Sequence, residues 1–381
     1  MQQDCLFKPD LGLHHASQST TESSTYLWWC RLIRDQRWSR AQKHQLVSHF
    51  QHPERVLTAP YQQVLSVISG RPRCSQPKVE QSIIDADLDW LSQHSNHLIP
   101  ITDQCYPRLL RQLVDPPLAL FAIGDIALLH EPQVAIVGSR KPTPIGDKVA
   151  RSISGGLSGL GLVVTSGMAL GIDAAAHQAA MHAGGLSIAV LANGLDIIYP
   201  SRHRSLFEHL GSTGLLVSEY PLGVAPRRHT FPQRNRIISG LSYGVVIVEA
   251  AERSGTLITA RLAMEQNREV MVVPGSALSS QYRGSHMLLQ QGASLVSCCT
   301  DVIHCLSEPL ARFLQDSAKV PVAGHLTPHP LLQFISAEST SVDDIILGSQ
   351  LTSGEVSSML LELELIGAVA IANDGGYVNL S

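Results

Sequence analysis

Short apolar runs rich in β-branched residues recur through the middle of the chain: VAIVG (134–138), LVVTSG (162–167), SIAVLANG (187–194), LLVSE (215–219), GVVIVEA (244–250), EVMVVPG (269–275) and ASLV (293–296). Between them, apolar residues return every three or four positions. In 145–160 these are Ile145, Val149, Ile153, Leu157 and Leu160, one stripe along a helix. ALGIDAAAHQAAMHAG and TLITARLAMEQN have the same character. A strand that is apolar at every position is one covered on both faces. Such strands alternating with amphipathic helices predict an α/β fold over residues 101–306, a doubly wound, mostly parallel sheet between two helical layers.

The flanks read differently. Residues 1–25 are polar, with the run SQSTTESST, and read as a disordered tail. Residues 26–100 read as short helices (LWWCRLIRD, AQKHQLVSHF, YQQVLSVIS) with turns near HPER and SGRPR. They predict a small all-helical N-terminal domain with Trp28 and Trp29 in its core. A Pro-containing linker covers 307–330. Residues 331–381 read as three helices and a hairpin, with Val356, Leu360 and Leu363 on one helix face and AVAIA and YVNL turned at NDGG. That is the pattern of a winged helix.

The chain has 381 residues, 44% of them hydrophobic, enough for two or three domains with substantial cores. It contains no run of 18 apolar residues, so no membrane span is expected. The start, MQQDCLFKPD, has no apolar signal region, and a cytoplasmic protein is expected. Seven cysteines without a CxxC pair read as buried, reduced thiols. His177 and His182 are five apart, off the spacing of one helix face, and no metal site is expected. Charge changes the picture more. Residues 134–305 carry 14 Lys and Arg against 10 Asp and Glu, whereas 306–381 carry 2 against 9. Within 201–240 there are six arginines against Glu208 and Glu219, a local positive field suited to a polyanion.

In a parallel sheet all strands end on one rim, where ligands bind. Here the rim loops are built of small residues: Gly138, Ser139 and Arg140; Ser166 and Gly167; Ser254, Gly255 and Thr256. Each is followed by a helix, so free backbone N–H groups and helix N-termini meet there, which suits phosphate oxygens. Arg140 adds a planar fork of donors. GSRKPTPIG has neither GxGxxG spacing nor a GK[ST] ending, so no nucleotide cofactor is expected. FPQRNRIISGLS (231–242) sets Arg234, Asn235 and Arg236 at the expected start of a helix, where cations oppose the dipole unless an anion binds. Internal pairing of these arginines with Glu219 or Glu249 is the alternative. Phe231 is either a staple onto the helix or a face for a stacked base. Ser166, Asp173 and His177 do not form a nucleophile elbow, since TSGMA is not GxSxG, and no catalytic set is evident.

VAIVGSR, SGMALGIDAAAH, GLDIIYP, SEYPLG, FPQRNRIISGLS, VVIVEA, SGTLITA, VVPG and GASLV stand in the order found in the DNA-processing protein A (DprA/Smf) family, which the chain resembles from about Tyr106 to Asp301. The resemblance implies an extended Rossmann-like fold, an N-terminal SAM- or HhH-like helical domain and a C-terminal winged helix. It further implies a non-enzymatic homodimer that binds single-stranded DNA without sequence specificity. Such proteins load RecA onto that strand during natural transformation and recombination. Carried onto this chain, Arg140 is a phosphate ligand, Arg228 a backbone contact and Phe231 the base-stacking residue, with Arg234, Asn235 and Arg236 the motif's polar row. His203 stands where the family commonly has Asn, which puts that loop's contact in question. EAAERSGTLITA is also loosely similar to nucleoside monophosphate N-glycoside hydrolases of the lysine-decarboxylase-like group, but it lacks their usual GGxGT. No Lys or Arg follows Lys319, so the winged helix is expected not to grip DNA.

Overall fold

In the computed structural model, residues 19–74, 79–311, 331–336, 339–349, 351–365, 369–371 and 376–379 are described. Five helices lead: α1 (Ser19–Arg34), α2 (Arg40–Phe50), α3 (Pro53–Thr58), α4 (Tyr61–Val67) and α5 (Gln81–Leu91). The capping box of Ser39 and Gln42 starts α2, and Pro53 sits where a helix needs no N–H in α3. Helix α1 begins at Ser19, inside the stretch expected to be a tail, while residues 1–18 lie outside the described residues.

The sheet follows as β1 (Asn96–Pro100), α6 (Arg108–Arg111), β2 (Ala119–Gly124), β3 (Gln133–Gly138), α7 (Pro144–Gly159), β4 (Val163–Ser166), α8 (Ile172–His182), β5 (Ser187–Leu191), α9 (Arg204–Thr213) and β6 (Leu215–Ser218). It continues through α10 (Thr230–Leu241), β7 (Gly244–Val248), α11 (Thr256–Glu265), β8 (Glu269–Val272), α12 (Arg283–Gln290), β9 (Ser294–Leu295) and α13 (Cys299–Cys305). Spatial order is β1-β2-β6-β5-β4-β3-β7-β8-β9, parallel from β6 to β9, with β1 and β2 added antiparallel at one edge. All seven expected strands are present, and β1 and β2 are additional. Strand β3 shows why its run is apolar throughout. Val134 and Ile136 face α7 and α8, and Ala135 and Val137 face α10 and α11, in two separate buried clusters.

The helices expected in residues 26–100 are present as far as Leu91, and they pack on the sheet. Trp29, Leu32, Leu46 and Ile84 lie in one buried cluster with Leu98, Phe121, Ala189 and Leu216 of the sheet. The N-terminal helices therefore share the sheet's core and belong to the same compact unit, Met1–Gln315. Trp29 is buried as expected, while Trp28 is half-buried beneath Arg31, 5.3 Å from its ring. The thiols are less buried than expected. Among the described cysteines only Cys30 is fully inside, Cys74, Cys105 and Cys298 are exposed, and no disulfide links them. No described helix is long and apolar enough to cross a membrane.

The second unit is Asp316–Ser381. Its described elements are a short 3-10 turn at Leu332–Phe334, α14 (Val342–Ser349), α15 (Ser353–Leu365) and the antiparallel pair β10 (Val369–Ile371) and β11 (Tyr377–Asn379). Val356, Leu360 and Leu363 are buried together with Ile345 and Val369, as the sequence stripe predicts. The first of the three expected helices is only that 3-10 turn. Helical backbone at 307–311 shortens the expected linker, and residues 312–330 and 373–375 of the NDGG turn lie outside the described residues.

Candidate functional site

The chain runs from β3 outward through β4, β5 and β6, then returns to place β7 on the other side of β3. The loops leaving β3 and β7 thus diverge to opposite faces, which opens a crevice at the strand ends. A cleft of about 700 Å³ lies there. It is lined by Gly138, Ser139, Arg140, Arg228, Phe231, Arg234, Asn235, Ser254, Gly255 and Thr256, ten of the thirteen residues singled out from the sequence. Gly167 borders an adjoining side pocket, while Ser166 and Arg236 border neither.

Glycine is required at two places. A Cβ on Gly138 would run into the Val248 carbonyl, so the close approach of β3 and β7 depends on its absence. Gly171 has φ +82°, and a Cβ there would meet the Ser139 carbonyl, which instead accepts the Ile172 N–H at 3.1 Å.

The three rim loops differ in what their N–H groups face. The Thr143 N–H and hydroxyl, at the start of α7, donate to the buried Glu249 carboxylate at 3.0–3.1 Å. The Gly167 and Ala169 N–H groups donate to Asp173 at 3.1 and 3.3 Å. Two of the loops expected to receive phosphate are therefore already occupied by internal carboxylates. In the third, Ser254 Oγ accepts from Thr256 N–H at 3.1 Å and donates to Thr256 Oγ1 at 2.9 Å, and Thr256 Oγ1 donates to the Gly138 carbonyl at 3.1 Å. The first N–H groups of α11 are thus bonded within the loop: Thr256 to Ser254 Oγ, Leu257 to the Ser254 carbonyl at 3.2 Å and Ile258 to the Gly255 carbonyl at 3.1 Å.

Among the cations, Arg140 and Arg228 are exposed and make no ion pair among the described residues. The Arg140 guanidinium lies 5.2 Å from the centre of the Phe231 ring. The motif arginines are turned inward. Helix α10 starts at Thr230, earlier than the sequence suggests, so Phe231 is in its first turn and the arginines lie beyond it. Arg234 is 3% exposed and donates to the carbonyls of Gly167, at 2.5 Å, and Val190. Burial lowers its pKa to about 10, and Asp173 opposes that shift. Burial likewise raises Asp173, and Arg234 opposes it in turn. Arg236 pairs with Glu219, which also accepts from Arg40 of α2 at 2.9 Å. Internal pairing, one of the two readings left open by the sequence, describes Arg236. Arg234 instead acts as a strut under the Gly167 loop.

Ser166 is buried and donates to the Ile136 carbonyl at 2.6 Å. His177 is buried with its Nδ1 2.7 Å from Ser187 Oγ and is hydrogen-bonded to neither Ser166 nor Asp173, and burial holds its pKa down to about 3. His203 Nδ1 contacts the Met168 carbonyl at 3.0 Å, tying its loop to the rim. The sequence reading missed Tyr199. It lines both the cleft and the side pocket, with its ring centre 5.8 Å from that of Phe231. Its signal was an aromatic residue in the loop leaving β5.

Comparison with known proteins gives a consistent result. A family model described as DNA recombination-mediator protein A matches residues 97–307, and one described as DprA winged helix domain matches 320–375. Protein Smf of Escherichia coli K12 is 44% identical over 306 residues, spanning 78% of this chain and 81% of its own. DNA processing protein DprA of Streptococcus pneumoniae R6 is 46% identical over 203 residues, 53% of this chain and 72% of its own. The X-ray structure of DprA from Streptococcus pneumoniae covers 73% of this chain and 97% of its own at 34% identity, with a TM-score of 0.64.

Proposed function

The chain belongs to the DNA recombination-mediator protein A (DprA/Smf) family, and from that premise we propose that its rim cleft holds single-stranded DNA without sequence specificity. The observation that carries this is the pairing of the exposed Arg140 with Phe231 at the sheet's switch point. A guanidinium suits phosphates of any sequence, and an aromatic ring adds stacking for unpaired bases. Loading of RecA onto the bound strand during DNA uptake and recombination goes with this reading, as do a homodimer and a cytoplasmic setting. The support for these is the family membership.

The strand is held rather than transformed. Glu249 is engaged by Thr143, and Asp173 by two loop N–H groups. That leaves Asp173 in the cleft and Glu249 at the end of β7 committed to structure, which argues against the nucleoside monophosphate hydrolase alternative. The test is binding of oligothymidylate to wild type, Arg140→Ala and Phe231→Ala. Both variants should bind at least several-fold more weakly, since base–aromatic stacking alone is worth about 1–3 kcal/mol. Wild-type affinity in both, or base released from nucleoside monophosphates, would overturn the proposal.

A further inference from the structure

Tyr199 is 44% exposed, although its ring sits at the mouth of an otherwise well-packed rim. It is bounded by Phe231 on one side and by the half-exposed Leu170 in the adjoining side pocket. The bond from His203 Nδ1 to the Met168 carbonyl, 3.0 Å, fixes the following segment against the rim. Phe231, by contrast, is flanked twice, by the Arg140 guanidinium at 5.2 Å and by Tyr199 at 5.8 Å with the rings inclined at 57°. At that separation the two rings are already a contacting aromatic pair, so no base enters between them. The freer aromatic surface of the cleft belongs to Tyr199.

Building on the reading of the cleft as a single-strand site, we infer that Tyr199 is a second base platform, so that the cleft stacks two bases of one strand. One base lies on Phe231 once Arg140 swings from the ring to a phosphate. A neighbouring base covers the open face of Tyr199, with Leu170 as its apolar border. Stacking needs only a π-face, so the second platform adds affinity for unpaired bases without adding sequence preference.

The experiment is a comparison of wild type, Tyr199→Leu, Tyr199→Phe and Phe231→Leu. Each is titrated with an oligothymidylate and with an abasic oligomer having the same number of phosphates. Tyr199→Leu should lose about tenfold on oligothymidylate, as expected for one stacked base, and Tyr199→Phe should stay within about twofold of wild type. The loss should vanish on the abasic strand, because only the base has been deprived of its platform. Equal losses on both strands would make Tyr199 a support for the fold or for the strand's backbone and overturn the inference. So would an unchanged Tyr199→Leu beside a weakened Phe231→Leu, a result that leaves the single-strand reading standing. A wild type that does not prefer the base-bearing strand would sink both together.

Discussion

Replacing Arg234 by methionine separates a structural arginine from a DNA ligand. Methionine roughly fills the length of the side chain but donates nothing. The carbonyls of Gly167 and Val190 lose their donor, and Asp173 is left without its buried neighbouring cation. Breaking a buried charged arrangement by removing one member costs about 3–5 kcal/mol, a figure that already includes the orphaned acceptors. At about 2–4 °C per kcal/mol for a domain of this size, the melting midpoint should fall by roughly 10 °C. A pH signature accompanies this. Burial already raises the Asp173 pKa and Arg234 restrains it, so the variant's carboxyl rises further above its unfolded value. A group with a raised folded pKa favours the folded state below its unfolded pKa and loses that contribution as pH rises through the folded value. The stability deficit of Arg234→Met should therefore be largest at neutral pH and shrink on acidification toward pH ~4. Differential scanning calorimetry across that range reads both effects. A midpoint within about 1 °C of wild type, with strand binding abolished, would refute the reasoning and make Arg234 a ligand.

Three further outcomes follow from the same structure. His177 is buried and neutral, with its pKa held down to about 3 from an ordinary 6.5, so its contribution is present above pH 6.5 and is lost as pH falls toward 3. Thermal midpoints of wild type and His177→Gln should therefore converge on acidification, and parallel curves would contradict this. Gly138→Ala should destabilise by about 1–3 kcal/mol in chemical unfolding, because the added Cβ meets the Val248 carbonyl and the Ile172 side chain; a neutral result would mean the strand ends can part. Residues 1–320, which keep the whole first unit, should retain nearly all the single-strand affinity of the full chain in a binding titration, since no Lys or Arg follows Lys319. A large loss would assign the winged helix a grip on DNA.

The sheet was legible where burial on both faces writes an unbroken apolar run, as in VAIVG and GVVIV. It was not legible at β1, where NHLIP mixes Asn, His and Pro with its apolar residues and an edge strand needs no double-sided run. ALFAIG of β2 is itself an unbroken apolar run between β1 and β6 and could have been read. The packing of the N-terminal helices on the sheet was not legible either, because the partners of Trp29 and Leu46 are sheet residues far along the chain. The rim was legible because strand-end loops of Gly, Ser and Thr are local features. The direction of each charge was not. Arg140 and Arg234 are chemically the same, and the carbonyls that draw Arg234 inward come from residues 67 and 44 positions away. Nor could spacing reveal that Glu249 and Asp173 fill two of the three N–H-lined loops, since Glu249 does so only by meeting Thr143 across 106 positions.

The central claim is that an exposed guanidinium beside an aromatic rim holds unpaired strands. Its most direct test is a salt titration of single- and double-stranded DNA binding by wild type and Arg140→Ala. The account predicts tighter binding of the single strand and a steep fall with salt. It also predicts that Arg140→Ala lowers the log–log salt slope by about 0.7, the loss of one phosphate contact on a single strand. Equal affinity for the two DNA forms, or a slope unchanged by Arg140→Ala, would contradict it.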